Sequence, residues 1–254
     1  MTAINIIGTG NVAWHLAKAI KSLPQYHLQA IAGRSTKANQ DFKNLADTYV
    51  SIDNLTPAEL TIIAVSDNAI ASLAEQIPYT TGVFVHTSGS VTMDVLSHFK
   101  RYGVFYPLQS FSKEDTISFN EIPICIETKN DNDIKVLEGL GFALSEKVKR
   151  ISSPERKQLH LAAVFVNNFT NHCYTIAQEL CEKNKLSFDL LKPLLAKTTK
   201  KALQGNPEAS QTGPAKRNDT QTIQTHLDLL DDSLHKEIYI ALSNAITSHY
   251  GKKL

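Results

Sequence analysis

The chain has 254 residues, enough for one large domain or two modest ones, each with a buried core. A hydrophobic share of 42% and a charged share of 20% exclude a disordered chain. A formal net charge of +1 gives no electrostatic reason to bind nucleic acid or an anionic membrane.

From residue 3 to about 148, short β-branched runs alternate with helical patterns. AINII (3–7) reads as a strand, and NVAWHLAKAIKSL (11–23) as a helix with an apolar stripe at Val12, Leu16, Ala19, Ile20 and Leu23. LQAIAG (28–33) is the next strand, followed by a polar helical stretch through Ala46. TIIAV (61–65), GVFVH (82–86), YGVFYP (102–107) and IPICIE (122–127) complete the strands. The early runs are continuously apolar, as parallel strands covered on both faces require. Strands alternating with helices predict an α/β fold, a Rossmann-type doubly wound parallel sheet.

Past residue 150 the pattern is helical throughout. Ser153 is expected to cap a helix with Pro154 in its first turn, and periodicity then holds for about thirty residues. Leu161 to Val166 is apolar on every side, which predicts a helix running through a core. FDLLKPLLAKTTKKAL (188–203), DTQTIQTHLDLL (219–230) and SLHKEIYIALSNAITSHY (233–250) are further helices, with a polar Gly/Pro loop over 204–219. The expected domains are a nucleotide-binding one over 1–150 and an all-helical one over 151–254.

The segment Gly8-Thr9-Gly10-Asn11-Val12-Ala13 has the spacing G-x-G-x-x-A between a strand and a helix. Gly8 would permit the tight turn, Gly10 would let a pyrophosphate approach the backbone, and Ala13 would let helix and strand pack closely. Free amides of the first helical turn and the positive helix end would face the anion. After the second strand stand Gly33, Arg34 and Ser35 rather than a carboxylate, with Lys37 nearby. A guanidinium and hydroxyls suit the 2′-phosphate of NADP better than the free ribose of NAD. The plainer reading of Arg34 is a solvated loop charge. Two further strand ends face the same crevice by topology: Val65-Ser66-Asp67, with Asp67 expected to cap the next helix, and His86-Thr87-Ser88-Gly89-Ser90, which reads equally well as a capped turn.

These motifs, with Y-P-L-Q-S-F (106–111), H-L-A-A-V-F-V-N-N (160–168) and G-P-A-K-R-N-D (213–219), resemble a bacterial family. Its members join a Rossmann-like, NADP-oxidoreductase-type domain to a helical domain of unassigned function. The architecture is similar to that of pyrroline-5-carboxylate reductases, β-hydroxyacid dehydrogenases and deazaflavin-dependent NADP reductases. The resemblance implies an oxidoreductase whose helical domain completes the active site and mediates homodimerisation. β-Hydroxyacid dehydrogenases carry a lysine four residues before a helical asparagine. Matching that asparagine to Asn168 puts Val164 at the lysine's place, and valine transfers no proton. His160 lies one turn earlier, about 40° around an α-helix. An imidazole there is a candidate general acid toward a carbonyl or imine, with Asn168 orienting the substrate; the alternative is a pair of structural hydrogen-bonding groups. Ser88, Gln109 and Arg217 are further candidates for substrate contact.

The expected activity is therefore NADP-dependent hydride transfer to or from a small anionic carbonyl or imine compound at a cleft between the domains. A non-catalytic NADP-binding sensor is the alternative that the missing lysine keeps open. No metal is expected, because the nine histidines show no metal-ligand spacing. Three cysteines, Cys125, Cys173 and Cys181, form no C-x-x-C pair, and buried packing is expected of each. No run approaches eighteen apolar residues, and MTAINIIG has neither the basic nor the long apolar region of a secretory leader. A cytoplasmic location follows as an expectation.

Overall fold

The computed structural model describes residues 1–34 and 40–250. Its Cα packing divides into two compact units, Met1–Asn168 and Phe169–Leu254.

The first unit is built on an eight-stranded sheet. The strands are β1 (Thr2–Ile7), β2 (Tyr26–Ala32), β3 (Thr48–Val50), β4 (Leu60–Ile63), β5 (Val83–His86), β6 (Tyr102–Pro107), β7 (Ile124–Thr128) and β8 (Val148–Arg150). Their spatial order is β3-β2-β1-β4-β5-β6-β7-β8. All neighbours pair in parallel except β6 and β7, which run antiparallel. The first six strands thus follow the doubly wound Rossmann order, with its topological switch point between β1 and β4.

Burial of both faces explains why β1 is apolar apart from Thr2 and Asn5. Ile4 and Ile6 enter one core cluster with Leu16, Ile20 and Phe105, whereas Ile7 enters another with Ile63, Phe84 and Phe99. Asn5 falls among the apolar positions and is wholly buried. Its Nδ2 donates to Thr56 O at 2.7 Å and to Tyr79 Oη at 2.9 Å, so the amide is not left without partners. Two three-residue strands, β3 and β8, have no counterpart in the sequence reading, being too short to show a period.

Helix α1 (Asn11–Lys21) follows β1, α2 (Ile70–Ala74) follows β4, and α3 (Asp131–Leu144) joins β7 to β8. Helix α4 (Ser153–Ala163) belongs to the first unit. Its cap is Ser152, one residue earlier than expected: the Ser152 side chain accepts from Glu155 N, and Glu155 Oε2 accepts from Ser152 N at 2.9 Å. This reciprocal capping box places Ser153 inside the first turn.

Beyond Ala163 the helix widens into a π segment, Val164–Phe169, before α5 (Thr170–Lys183). The expected single α-helical register is therefore interrupted. The second unit continues with α6 (Lys192–Gln204), a four-residue α7 (Pro207–Ser210) inside the expected loop, α8 (Thr220–Leu229) and α9 (Ser233–Tyr250). The apolar run at Leu161–Val166 corrects another expectation. Leu161, Phe165 and Val166 are exposed, Val166 by 77%, so in the single chain this stretch does not pass through a core. Among the cysteines Cys125 is buried, but Cys173 is exposed and Cys181 only partly covered, against the packing role expected of them. Among the described residues, no helix is long and apolar enough to cross a membrane, and no cluster of His, Cys, Asp or Glu is arranged to hold a metal ion.

Candidate active site

A cavity of about 860 Å³ opens at the carboxyl ends of β1, β4 and β5, at the switch point of the sheet. The loop from β1 to α1 forms one wall. Gly8 has φ +128°, and a Cβ there would lie 2.1 Å from Ala64 O, so only glycine lets the loop pass the end of β4. Gly10 differs. Its φ of −80° suits any residue, and a Cβ would meet no described atom within 4 Å. Neither packing nor backbone geometry demands glycine at position 10. Removing the side chain instead leaves the cavity wall bare backbone. Gly10 caps α1 with no side chain over the first-turn amides, and that turn carries no acidic residue. Such an end is electropositive and open to an anion. Ala13, wholly buried, faces the core beneath.

Of the residues expected to bind cofactor, Gly8, Thr9, Gly10, Asn11, Val12, Gly33, Arg34, Val65, Ser66 and Thr87 all line this one cavity. Ser35 lies outside the described residues, as does Lys37. Gly33 is a packing glycine: a Cβ there would stand 2.3 Å from Tyr49 Oη and 2.6 Å from Thr9 Cγ2. Asn11 has a further task, since its Nδ2 donates to Phe111 O at 2.7 Å. One turn along α1, His15 Nε2 donates to Ser112 O at 2.6 Å. The segment after β6 is thereby fastened to α1, with Gln109 and Phe111 lining the cavity.

His86 departs from its expected role. It is wholly buried and does not line the cavity. The ring organises the following turn: Ser88 N donates to Nδ1 at 3.2 Å, which leaves Nε2 to donate to Thr92 O at 3.2 Å. Burial, with the Arg156 charge as a smaller contributor, lowers its pKa to about 4 and keeps it neutral, while the Thr92 carbonyl opposes the shift. Ser88 is also buried, and its Oγ accepts from Ser90 N and Val91 N at 3.1 Å each, so it holds the turn rather than facing a substrate. Asp67 does not cap by its side chain. It opens a short 3₁₀ turn behind Ser66 and accepts from Ser90 Oγ at 2.5 Å.

Beside this turn, over the ends of β5 and β6, sits His160. Its Nδ1 is 3.1 Å from Tyr106 Oη, and a Cβ on Gly89 would approach that nitrogen to 2.6 Å. Helix α4 holds His160 in place through a buried anchor one turn earlier. Arg156 is 0% exposed; its Nη1 donates to Glu127 Oε2 at 2.5 Å and its Nη2 to Val91 O at 2.5 Å. Glu127 also accepts from Ser153 N at 2.8 Å and Ser153 Oγ at 2.7 Å. The first turn of α4 is thus pinned both to β7 and to the loop after β5. Neither this anchor nor Tyr106 was singled out in the sequence, although Tyr106 stands inside the Y-P-L-Q-S-F motif.

Asn168 is exposed at the end of the π segment. A π turn carries more residues than an α turn, so it offsets the α-helical overshoot and returns Asn168 toward the His160 row. Gln109 lines the cavity, with its Oε1 engaged by Ser110 N at 2.9 Å. Arg217 is exposed in the second unit, and its neighbour Lys216 donates to Gln211 O at 2.8 Å.

Residues 122–246 match a family model described as a domain of unknown function, DUF2520. None of the curated proteins compared matches the chain. Among solved structures, a Bacteroides fragilis protein named “putative NADP oxidoreductase” is 37% identical, with a TM-score of 0.90, covering 97% of this chain and 98% of that one. A Thermotoga maritima protein is 20% identical at a TM-score of 0.77, covering 96% and 99% of the two chains. The reductive aminase of Aspergillus terreus, solved with NADPH and ethyl levulinate, shares the fold at 14% identity and a TM-score of 0.68, covering 97% and 92%. With more than a third of its residues shared along nearly the full length of the Bacteroides fragilis protein, this chain belongs to the same family, with a Rossmann-type sheet and a DUF2520 match that spans the last two strands and most of the helices after them.

Proposed function

We propose that the protein is an NADP-dependent oxidoreductase acting on a small, anionic carbonyl or imine compound. The observation that carries this reading is the contrast at the two loop glycines. Gly8 is explained by Ala64, whereas Gly10 has an ordinary backbone and an open space before it, which suits a diphosphate laid against its amide. The name of the Bacteroides fragilis relative and the NADPH bound to the fold relative support the same cofactor.

In this reading the first-turn amides of α1 receive the diphosphate, and Arg34, exposed at the cavity rim, pairs with the 2′-phosphate. Bound there, the nicotinamide would supply or accept the hydride. His160 supplies the proton to the carbonyl oxygen or imine nitrogen, the role that Val164 cannot fill. Gln109 and Asn168 offer amides to the substrate.

Fluorescence titration tests the cofactor first. NADPH should bind at least about tenfold more tightly than NADH, and Arg34→Ala should erase most of that margin. Equal affinities for the two coenzymes would refute the role of Arg34. A screen of ketoacids, cyclic imines and a deazaflavin for NADPH oxidation then separates enzyme from sensor: tight binding without turnover of any of them would favour the sensor.

The helical unit is proposed to form a homodimer with a second copy. Leu190, Leu194, Leu203, Leu229 and Leu234 are all exposed in the single chain, and Leu203 reaches 82%. That much uncovered leucine on one small unit is the pattern of a subunit interface.

A further inference from the structure

We infer that Tyr106 is a positioning residue that fixes His160 in its Nε2–H tautomer and so decides which ring nitrogen can give a proton to a substrate. The assignment of the tautomer stands on the geometry alone; its catalytic meaning rests on the proposed reductase reading.

Three observations converge. First, Tyr106 is the penultimate residue of β6 and is buried, with its Oη 3.1 Å from His160 Nδ1. The two ring planes meet at 73°, which brings the phenol edge-on to the imidazole. A hydroxyl that merely accepted from Nδ1–H would leave its own O–H without an acceptor among the described residues. Donating to an unprotonated Nδ1 satisfies both groups with one bond. Burial, joined by the charge of Cys125 when ionised, pushes the phenol up to about 12, so it keeps its proton and remains a donor across the physiological range.

Second, the ring has little room to turn away. Gly89 lies against Nδ1 so closely that a Cβ would stand 2.6 Å from it, and 2.8 Å from Tyr106 Cζ. The missing side chain at position 89 is therefore the space in which the imidazole and the phenol meet. Third, the helix that carries His160 cannot drift. Arg156, four residues earlier on α4, is held through Glu127 and the Val91 carbonyl to the same two parts of the unit, the sheet and the loop after β5.

With Nδ1 occupied by the phenol, the proton of neutral His160 resides on Nε2, and any substrate receives it from that atom. Tyr106 does not itself reach the substrate in this arrangement; it acts through the ring.

The test uses the full-length protein with histidine labelled with ¹⁵N, His160→Gln serving to assign the resonance. Two-bond ¹H–¹⁵N correlations distinguish the two neutral tautomers directly. The wild-type protein should show His160 as the Nε2–H form, with Nδ1 shifted as a hydrogen-bond acceptor. Tyr106→Phe removes only the hydroxyl and should lose that Nδ1 shift and release the ring into a mixture of tautomers. Gly89→Ala, which keeps the hydroxyl in the chain but crowds both Nδ1 and the phenol ring, should lose the shift as well. An Nδ1–H pattern in the wild type, or an unchanged pattern in Tyr106→Phe, overturns the inference. Far-UV circular dichroism shows that each variant is folded before it is scored. NADPH titration of the same samples keeps the two ideas apart. Absent binding to the wild type condemns the reductase reading and leaves the tautomer result standing, whereas normal binding with the wrong tautomer does the reverse.

Discussion

The apolar residues of the two units meet opposite fates. In the first, Ile4, Ile6, Ile62, Phe84 and Phe105 are wholly enclosed on the two faces of one sheet. In the second, leucines on successive helices stand open, and among the described residues of that stretch the buried ones include Ala215, Leu230 and Ser243 but no aromatic side chain. A sheet flanked by helices can cover its strands within one chain, because each strand contributes side chains to both faces. Helices that show apolar residues on more than one side need partners from elsewhere. The first unit should therefore answer to substitutions inside it at any protein concentration, and the second to protein concentration itself.

The sharpest way to break this comparison is Arg156→Met, which strands the Glu127 carboxylate beside an apolar side chain. Losing one partner of a buried ion pair should cost about 3–5 kcal/mol in urea unfolding, independent of protein concentration. A loss under about 1 kcal/mol would mean that the α4 anchor is dispensable.

His86 offers the next effect. Its folded-state pKa of about 4 lies below the ordinary 6.5, so between these values the unfolded chain holds a proton that the native ring refuses. The contribution of burying it neutral is full above about pH 6.5 and is lost as pH falls toward 4, an effect on the order of 3 kcal/mol. Unfolding free energies measured from pH 7 to pH 4 should flatten in His86→Gln.

The glycine pair separates fold from ligand. Gly8→Ala should cost roughly 3 kcal/mol or more, from backbone strain and the collision with Ala64 O. Gly10→Ala should change stability by about 1 kcal/mol or less, yet weaken NADPH at least about tenfold. Equal effects of both on stability would remove the argument that position 10 is kept bare for a ligand.

The smallest change in stability, and the clearest in mass, concerns the exposed leucines. Multi-angle light scattering should give twice the chain mass for the wild type, and Leu190→Lys with Leu194→Lys should reduce it toward a single chain. A wild-type monomer at micromolar concentration would refute the homodimer.

Much of this was legible in the sequence, for identifiable reasons. Continuous apolar runs marked β1, β4 and β5, and the G-x-G-x-x-A spacing located the loop whose residues the cavity gathers. The orientation of β7 was not legible, since its apolar residues suit either direction of pairing. His86 and Ser88 misled because polar residues at a strand's end serve a ligand or a turn equally well, and hydrogen bonds to Thr92, Ser90 and Val91 decide for the turn. The Arg156–Glu127 anchor joins residues 29 apart in the chain, and Tyr106 and His160 are 54 apart. No local pattern announces either pair. The apolar stretch at Leu161–Val166 was read as running through a core, because apolar residues on every side of a helix usually mean burial, yet Leu161, Phe165 and Val166 are exposed in the single chain.

The two bonds from Asn11 and His15 to consecutive carbonyls of the strap past β6 make the rim of the cavity an extension of α1. Phe111 is steadied by a neighbour a hundred residues away in sequence rather than by its own strand. Two polar fastenings to a neighbouring helix, and not a helix or strand of its own, hold that stretch in place.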